Sequence, residues 1–144
     1  MRKISFWICI VLSIALLTAC SSSLASTSSN SETALIQVVN NSDEKIHLVE
    51  LHFYQYGTQI STQGGTYADG SAVKKGDFLG FEVSSSDVDL NEPITIEVSV
   101  EIDNVKRSVG AIQSIQLSKG NAYNFEIIKD SSSNLIIQKL ENVE

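Results

Sequence analysis

The feature that most constrains the fold is a two-residue alternation of apolar and polar side chains between Ile94 and Ile102. Successive side chains of an extended strand point to opposite faces, so this pattern buries one face and leaves the other in water. The apolar members are Ile94, Ile96, Val98, Val100 and Ile102, and the polar members are Thr95, Glu97, Ser99 and Glu101. No stretch from residue 34 onward shows the apolar stripe of a helix, so the sequence predicts an all-β domain.

Further strand segments are separated by turn residues. The pair Asp103-Asn104 suits a two-residue hairpin loop that leads into a strand over residues 105–111. Residues 112–117 either extend this strand or bend onto a second sheet. The other predicted strands are residues 35–39, 46–54, 78–83, 122–129 and 134–140, with turns at places such as Gly64-Gly65. About seven short strands predict a single antiparallel β-sandwich over residues 34–144.

One local motif gives this architecture a family resemblance. Leu117, Gly120 and Tyr123 fall three residues apart, and alternate residues after Tyr123 are apolar. This spacing resembles the tyrosine corner of immunoglobulin-like and fibronectin type III-like domains. The resemblance implies that the Tyr123 hydroxyl bonds to backbone upstream and that residues 122–129 form the sixth strand. It concerns architecture and carries no activity.

The N-terminus has the parts of a secretory signal. Arg2 and Lys3 precede an apolar run of 14 residues from Ile4 to Leu17, and small residues follow. A membrane-spanning helix needs roughly 20 apolar residues, so the run favours a cleaved signal over residues 1–19. A permanent N-terminal membrane anchor is the alternative.

The end of this segment resembles a bacterial lipobox. Leu17, Thr18 and Ala19 supply the aliphatic and small residues of the pattern, and Cys20 supplies its obligatory thiol. The resemblance implies transfer of a diacylglyceryl group (palmitate is a typical acyl chain) to Cys20 and cleavage before it. Two acyl chains anchor a protein stably. Ser21 after the cysteine is similar to lipoproteins sent to the outer membrane, whereas in a host with one membrane the protein would stay on its outer face.

A serine-rich segment follows the cysteine. Residues 21–33 read SSSLASTSSNSET, with seven serines in thirteen residues. Low apolar content without periodicity predicts a flexible tether with an extended reach of about 40 Å. The predicted organisation is therefore a signal over residues 1–19, a lipidated cysteine and linker over residues 20–33, and a domain over residues 34–144.

Composition excludes several classes of function. Loss of Arg2 and Lys3 with the signal would take the net charge from −7 to −9, which disfavours nucleic acid and anionic lipid as partners. Cys9 lies in the signal and Cys20 carries lipid, so the domain has no disulfide, cysteine zinc site or thiol nucleophile. The single tryptophan, Trp7, is also in the signal. Carbohydrate-binding sandwiches usually stack sugar rings on tryptophan, so its absence from the domain disfavours polysaccharide binding.

The histidines predict no catalytic site. His47 and His52 are separated by five positions on one predicted strand and therefore point to opposite faces. His52 shares its face with Glu50, a pairing typical of a solvated sheet surface. No serine lies in a Gly-x-Ser-x-Gly motif, so we expect no enzyme and no cofactor.

The candidate binding residues are aromatic and basic. Tyr54 and Tyr56 continue the face of His52, and Tyr67 is expected near them in a glycine-rich loop over residues 63–76, which also contains Lys74 and Lys75. Tyrosine combines contact area with a hydroxyl group, and long loops commonly carry recognition. The alternative is ordinary packing in a core or across strands.

An acidic segment, residues 87–92, superficially resembles the start of a calcium loop. Its sixth position is Glu92 instead of glycine and its twelfth is Val98 instead of glutamate, which excludes an EF-hand. A looser calcium site between loops remains open.

These observations predict a membrane-anchored extracytoplasmic lipoprotein. Its expected role is that of a non-enzymatic binding module for a protein partner in the cell envelope. The alternatives are a structural protein that self-assembles through edge strands and a calcium-dependent adhesive module.

Overall fold

The computed structural model describes residues 32–140. The predicted signal, Cys20 and the tether up to residue 31 lie outside the described residues, as do residues 141–144. Within the described range, no helix is long and apolar enough to cross a membrane.

Eight strands and no helices form the described part of the chain. In chain order they are β1 (Thr33–Asn40), β2 (Leu48–Gln55), β3 (Thr58–Gly65), β4 (Phe78–Ser84), β5 (Ile94–Ile102), β6 (Val105–Ile115), β7 (Ala122–Lys129) and β8 (Leu135–Lys139). The predicted all-β class is confirmed. Thr33, assigned to the tether by its composition, is the first residue of β1, because its backbone pairs with Ser84 of β4.

The strands form two four-stranded sheets. The first has the order β4-β1-β7-β8 and the second β3-β2-β5-β6. All neighbouring strands are antiparallel except β1 and β7, which are parallel. The prediction of an entirely antiparallel sandwich is therefore wrong at this pair. The arrangement is sandwich-like, since the buried faces of both sheets belong to one hydrophobic cluster.

The predicted alternation on β5 is present. Its five apolar positions are all buried, whereas Thr95 and Glu101 are half-buried and Glu97 is exposed. β1 and β2 show the same period of two. The second sheet therefore has an inner face in the core and an outer face that presents polar side chains.

The prediction of a turn at Gly64-Gly65 is wrong, because both glycines belong to β3. This strand has no buried side chain, so it lacks the apolar alternation by which the other strands were predicted. A Cβ atom on Gly65 would lie 2.9 Å from the Cε1 and Cζ atoms of Phe81 in β4. Glycine at this position allows the buried phenylalanine ring to approach the strand.

Two hairpins in the second sheet have the same turn geometry. The predicted Asp103-Asn104 turn between β5 and β6 is confirmed, with φ angles of 50° and 61°. Tyr56-Gly57 joins β2 to β3 with φ angles of 52° and 77°. Two consecutive positive φ angles are typical of a type I′ turn, for which asparagine, aspartate and glycine are the favoured residues.

The hydrogen bond implied by the tyrosine-corner motif is also present. The backbone N–H of Ser118 donates to the hydroxyl of Tyr123 over 2.9 Å. Leu117 is buried in the core, and Gly120 has a φ of 77° in the turn between them. The motif therefore fixes the loop that enters β7.

The topology gives the domain two distinct ends. We call the end at which β1 begins the near end. The N–H of Gly120 bonds to the carbonyl of Thr33 there, and the Gln55 side chain at the end of β2 bonds the backbone of Asp89. We call the opposite end, where β1 stops at Asn40, the far end. There the buried Asn40 side chain donates 2.8 Å hydrogen bonds to the carbonyls of Glu44 and Val73.

Candidate binding surface

Tyr54 and Tyr56 line one groove at the near end. Tyr54 is half-buried on the outer face of β2, and Tyr56 is 86% exposed in the turn that follows. The groove has a volume of about 350 Å³ and continues over Pro93 and Thr95 to Gln113. We call this site, lined by Tyr54, Tyr56, Gly57, Pro93, Thr95, Glu97, Gln113 and Ser114, the tyrosine groove.

Part of the lining of the tyrosine groove has irregular backbone. Tyr56 and Ser114 both have a φ of 52°, which is unusual for residues other than glycine and asparagine. The β2–β3 pairing shifts register between Phe53 and Tyr54 and leaves Ile60 without a partner on β2. Bulges and positive φ angles redirect side chains, and they concentrate at functional sites.

The charge at the tyrosine groove is negative. Glu97 lines it, and none of its lining residues is a lysine or arginine. Interaction with the Glu97 carboxylate raises the pKa of Tyr54, whose hydroxyl donates to the side chain of Gln59. Reduced hydration, together with the carboxylates of Glu92 and Asp89, raises the pKa of Tyr56. Both tyrosine hydroxyls therefore lie in a negative potential that favours their neutral form.

The other predicted binding residues lie elsewhere. Tyr67 follows β3, whereas Tyr56 precedes it, so an eight-residue strand of about 25 Å separates the two tyrosines. The prediction that Tyr67 lies near Tyr54 and Tyr56 is therefore wrong. Tyr67 packs partly against the core, and burial together with Asp77 raises its pKa.

Lys74 and Lys75 are exposed on the loop at the far end. The Lys75 ammonium lies 2.9 Å from the carboxylate of Asp43, and the N–H of Lys74 donates to Asp77. These contacts tie the loop to its neighbours. They place both lysines away from the tyrosine groove.

A polar cluster on the outer face of the second sheet contains Glu50 and His52, as predicted. His52 Nε2 lies 3.6 Å from a Glu50 carboxylate oxygen and 3.2 Å from the Ser99 hydroxyl, and its Nδ1 lies 3.2 Å from Thr62. A hydrogen bond from Lys106 and others from neighbouring groups hold the pKa of Glu50 below 4.5 against the effect of burial.

This cluster does not have the geometry of a serine-hydrolase triad. A triad needs the acid on one ring nitrogen of the histidine and the serine on the other. In this protein, Glu50 and Ser99 both face Nε2 of His52. His47 is half-buried near the far end, and its N–H donates to the carbonyl of Glu101. The cluster therefore stabilises the sheet surface as a set of hydrogen bonds and ion pairs.

The acidic segment after β4 forms turns. Asp87 accepts hydrogen bonds from the N–H and hydroxyl of Ser84, and Asp89 accepts two from Asn91. Among residues 32–140, no group of three or more histidine, cysteine, aspartate or glutamate side chains is arranged to hold a metal ion. The calcium-dependent module stays a prediction, with a melting temperature raised by millimolar calcium as its test.

Sequence reasoning missed a larger depression beside this segment. It has a volume of about 790 Å³ and lies at the near end, between Ser85, Asp89 to Asn91 and Gln116 to Lys119. Two loops line the depression. The Gln116 side chain of one loop donates a hydrogen bond to the Leu90 carbonyl of the other, which lies 26 residues earlier in the sequence. No sequence pattern connects these loops, because their proximity depends on the tertiary fold.

Comparison with known proteins gives structural likenesses only. No family model and no curated protein matches the chain. An NMR structure of a protein from Eubacterium rectale aligns with 78% of this chain and 94% of its own, at 10% identity and a TM-score of 0.49. Pneumolysin aligns with 78% of this chain at 7% identity and a TM-score of 0.39. A disulfide-locked mutant of intermedilysin, solved with human CD59, aligns with 75% of this chain at 6% identity and a TM-score of 0.40. This chain spans about a quarter of the latter two, covering 24% of each. All three scores lie below 0.5, and they carry no statement about function.

Proposed function

We propose that this protein is a lipid-anchored extracytoplasmic binding module without enzymatic activity, which binds a protein partner in the cell envelope. The lipobox-like residues 17–20 support anchoring at Cys20, and the serine-rich residues that follow support a tether. In this proposal the domain stands on the outer side of the cell membrane or on the outer membrane.

One observation carries the binding role: Tyr56 is 86% exposed in a turn where its φ is 52°. A positive φ is unfavourable for tyrosine, and at this exposure the side chain buries little area that could offset the cost. Local stability therefore does not explain this residue. Tyrosine at the edge of a groove supplies contact area and a hydroxyl group to a partner.

We also propose that the two sheets form a single immunoglobulin-like sandwich that presents the tyrosine groove at its near end. The shared hydrophobic cluster and the hydrogen bond between Ser118 and Tyr123 support this proposal. Loops and turns at the ends of such sandwiches are the usual recognition surfaces, because the sheets hold them rigidly.

Partner capture tests the binding role. Tagged full-length protein would be cross-linked in intact cells, purified from membranes and compared with Tyr54→Ala and Tyr56→Ala variants. Tyr67→Ala is the matched control, and Cys20→Ser controls for membrane proximity. We expect one stoichiometric partner, lost in the first two variants and retained with Tyr67→Ala. Equal recovery in all variants would contradict a role for the groove.

A second function, self-assembly through a strand edge, is favoured by β3. It is an edge strand of eight residues without a charge or a proline, whereas natural edges are usually protected by such residues. Its bulged residue, Ile60, is 43% exposed. This alternative predicts concentration-dependent oligomers in sedimentation that Ile60→Lys abolishes. A monomer at all concentrations would contradict it.

A further inference from the structure

The charge and shape of the tyrosine groove identify the chemistry of its occupant. We propose that the groove binds an extended protein segment that bears arginine or lysine, with the cationic side chain between the two tyrosines and Glu97. This inference rests on the proposed binding role and adds the partner's chemical class to it.

The first argument is geometric. The volume of about 350 Å³ lies at the lower end of the range of ligand pockets, so the groove accommodates a few side chains and no folded domain. Tyr54 on β2 and Tyr56 in the turn that follows line the groove together with Glu97, which lies on the neighbouring strand β5. A guanidinium group stacks on aromatic rings and donates hydrogen bonds in its plane to a carboxylate. It can therefore contact the tyrosine rings and the Glu97 carboxylate at the same time.

The second argument is electrostatic. Three carboxylates influence the tyrosine hydroxyls, namely Glu97 on Tyr54, and Glu92 and Asp89 on Tyr56. None of the three forms a salt bridge within residues 32–140. By contrast, Glu50 on the same sheet face is paired with Lys106. The groove therefore has an uncompensated negative charge, which a cationic partner would compensate.

The same charge disfavours two other occupants. An anionic lipid surface would be repelled by the carboxylates. A second copy of this chain would bring a net charge of the same sign, −7 for the full sequence, although local pairing through an exposed lysine remains a measurable outcome. The location adds a constraint, since the groove lies at the near end, where β1 begins at Thr33. A tether of this length would keep the partner segment within some tens of ångströms of the membrane.

Peptide binding tests the inference directly. Full-length protein in a non-ionic detergent would be titrated into a fluorescein-labelled peptide of six Arg-Ser repeats, with six Glu-Ser repeats as the charge control, and anisotropy recorded. We expect Glu97→Gln and Glu92→Gln each to weaken binding by about two- to fivefold, as for exposed ion pairs. Glu101→Gln is the matched control, because Glu101 lies on the same strand and face, about 13 Å away. It should leave the affinity unchanged.

Each outcome supports or overturns the inference. Weakening by raised salt, by Tyr56→Asn, by Glu97→Gln and by Glu92→Gln supports it. Equal weakening by Glu101→Gln, or equal binding of the acidic peptide, would show non-specific attraction and overturn it. Binding of phosphatidylglycerol vesicles by a Cys20→Ser chain, lost with Tyr56→Asn, would assign the groove to lipid and overturn it. Groove-dependent dimers in sedimentation would do the same in favour of a second copy.

The two proposals fail separately. If tyrosine variants lose the partner captured from cells while Glu92→Gln and Glu97→Gln retain it, the binding role stands and the cationic segment is wrong. If the arginine peptide binds as expected but no tyrosine-dependent partner is captured, the groove chemistry stands and the envelope-partner role is wrong.

Discussion

Replacing Tyr56 with asparagine should make the domain more stable and less able to bind. A left-handed backbone costs about 1–2 kcal/mol for most residues, whereas asparagine adopts it readily and Asn-Gly is a favoured type I′ pair. Tyr56 is 86% exposed, so its loss removes only about 30 Å² of contact, about 0.7 kcal/mol at most. We therefore expect a net gain of about 0.5–1 kcal/mol.

Thermal unfolding would measure this gain. A domain of about 110 residues has an unfolding entropy of roughly 0.23 kcal/mol/K, so the melting temperature should rise by about 2–4 °C. The Asp103-Asn104 turn provides a matched control. Asp103 has a φ of 50°, close to that of Tyr56, and aspartate is a favoured residue at this position of the turn. Asp103→Tyr should lower the melting temperature by a similar amount. A lower melting temperature in Tyr56→Asn would show that the tyrosine stabilises its own turn, and would refute the argument that its position serves binding.

Three further changes test the account of the fold. Gly65→Ala should cost about 1–3 kcal/mol in urea unfolding because the new Cβ would meet a buried ring at 2.9 Å, whereas Gly64→Ala, with contacts of 3.6 Å or more, should be nearly neutral; equal effects would contradict the close approach. Asn40→Ala should cost about 2 kcal/mol, since it leaves the buried N–H of Ser42 without its acceptor and removes one of the two hydrogen bonds to the Val73 carbonyl, and an unchanged midpoint would contradict that role. Lys106→Gln should cost at most about 1 kcal/mol at neutral pH. Because the folded pKa of Glu50 lies below 4.5, this difference should be present above that pH and disappear as the pH falls through the lowered pKa; a difference that persists in acid would contradict it.

The sequence predicts strands where one face is buried. β5 shows this best, because its alternation of apolar and polar residues follows directly from its position between core and water. β3 could not be predicted in the same way. None of its side chains is buried, and its last two residues, Gly64 and Gly65, have no side chain. Only its hydrogen-bonded pairing with β2 makes it a strand.

The candidate site was predictable in part for the same reason. Tyr54 follows from alternation along β2, but the position of Tyr56 depends on a turn type that its side chain disfavours. Asp103-Asn104 was predicted because those residues suit that turn. The position of Tyr67 could not be predicted because β3 was not predicted. A loop between Tyr56 and Tyr67 could fold back on itself, whereas β3 holds its two ends about 25 Å apart.

The central claim, that the tyrosine groove contacts a protein partner, is tested most directly by site-specific photo-cross-linking in living cells. Benzoylphenylalanine would replace Tyr56 in the full-length protein. In a second strain it would replace Tyr67, which follows β3 and is separated from Tyr56 by the length of that strand. The account predicts one discrete cross-linked protein from position 56, none from position 67, and a cross-linked peptide that contains arginine or lysine. Cross-links from position 67 alone, or from neither position, would contradict it.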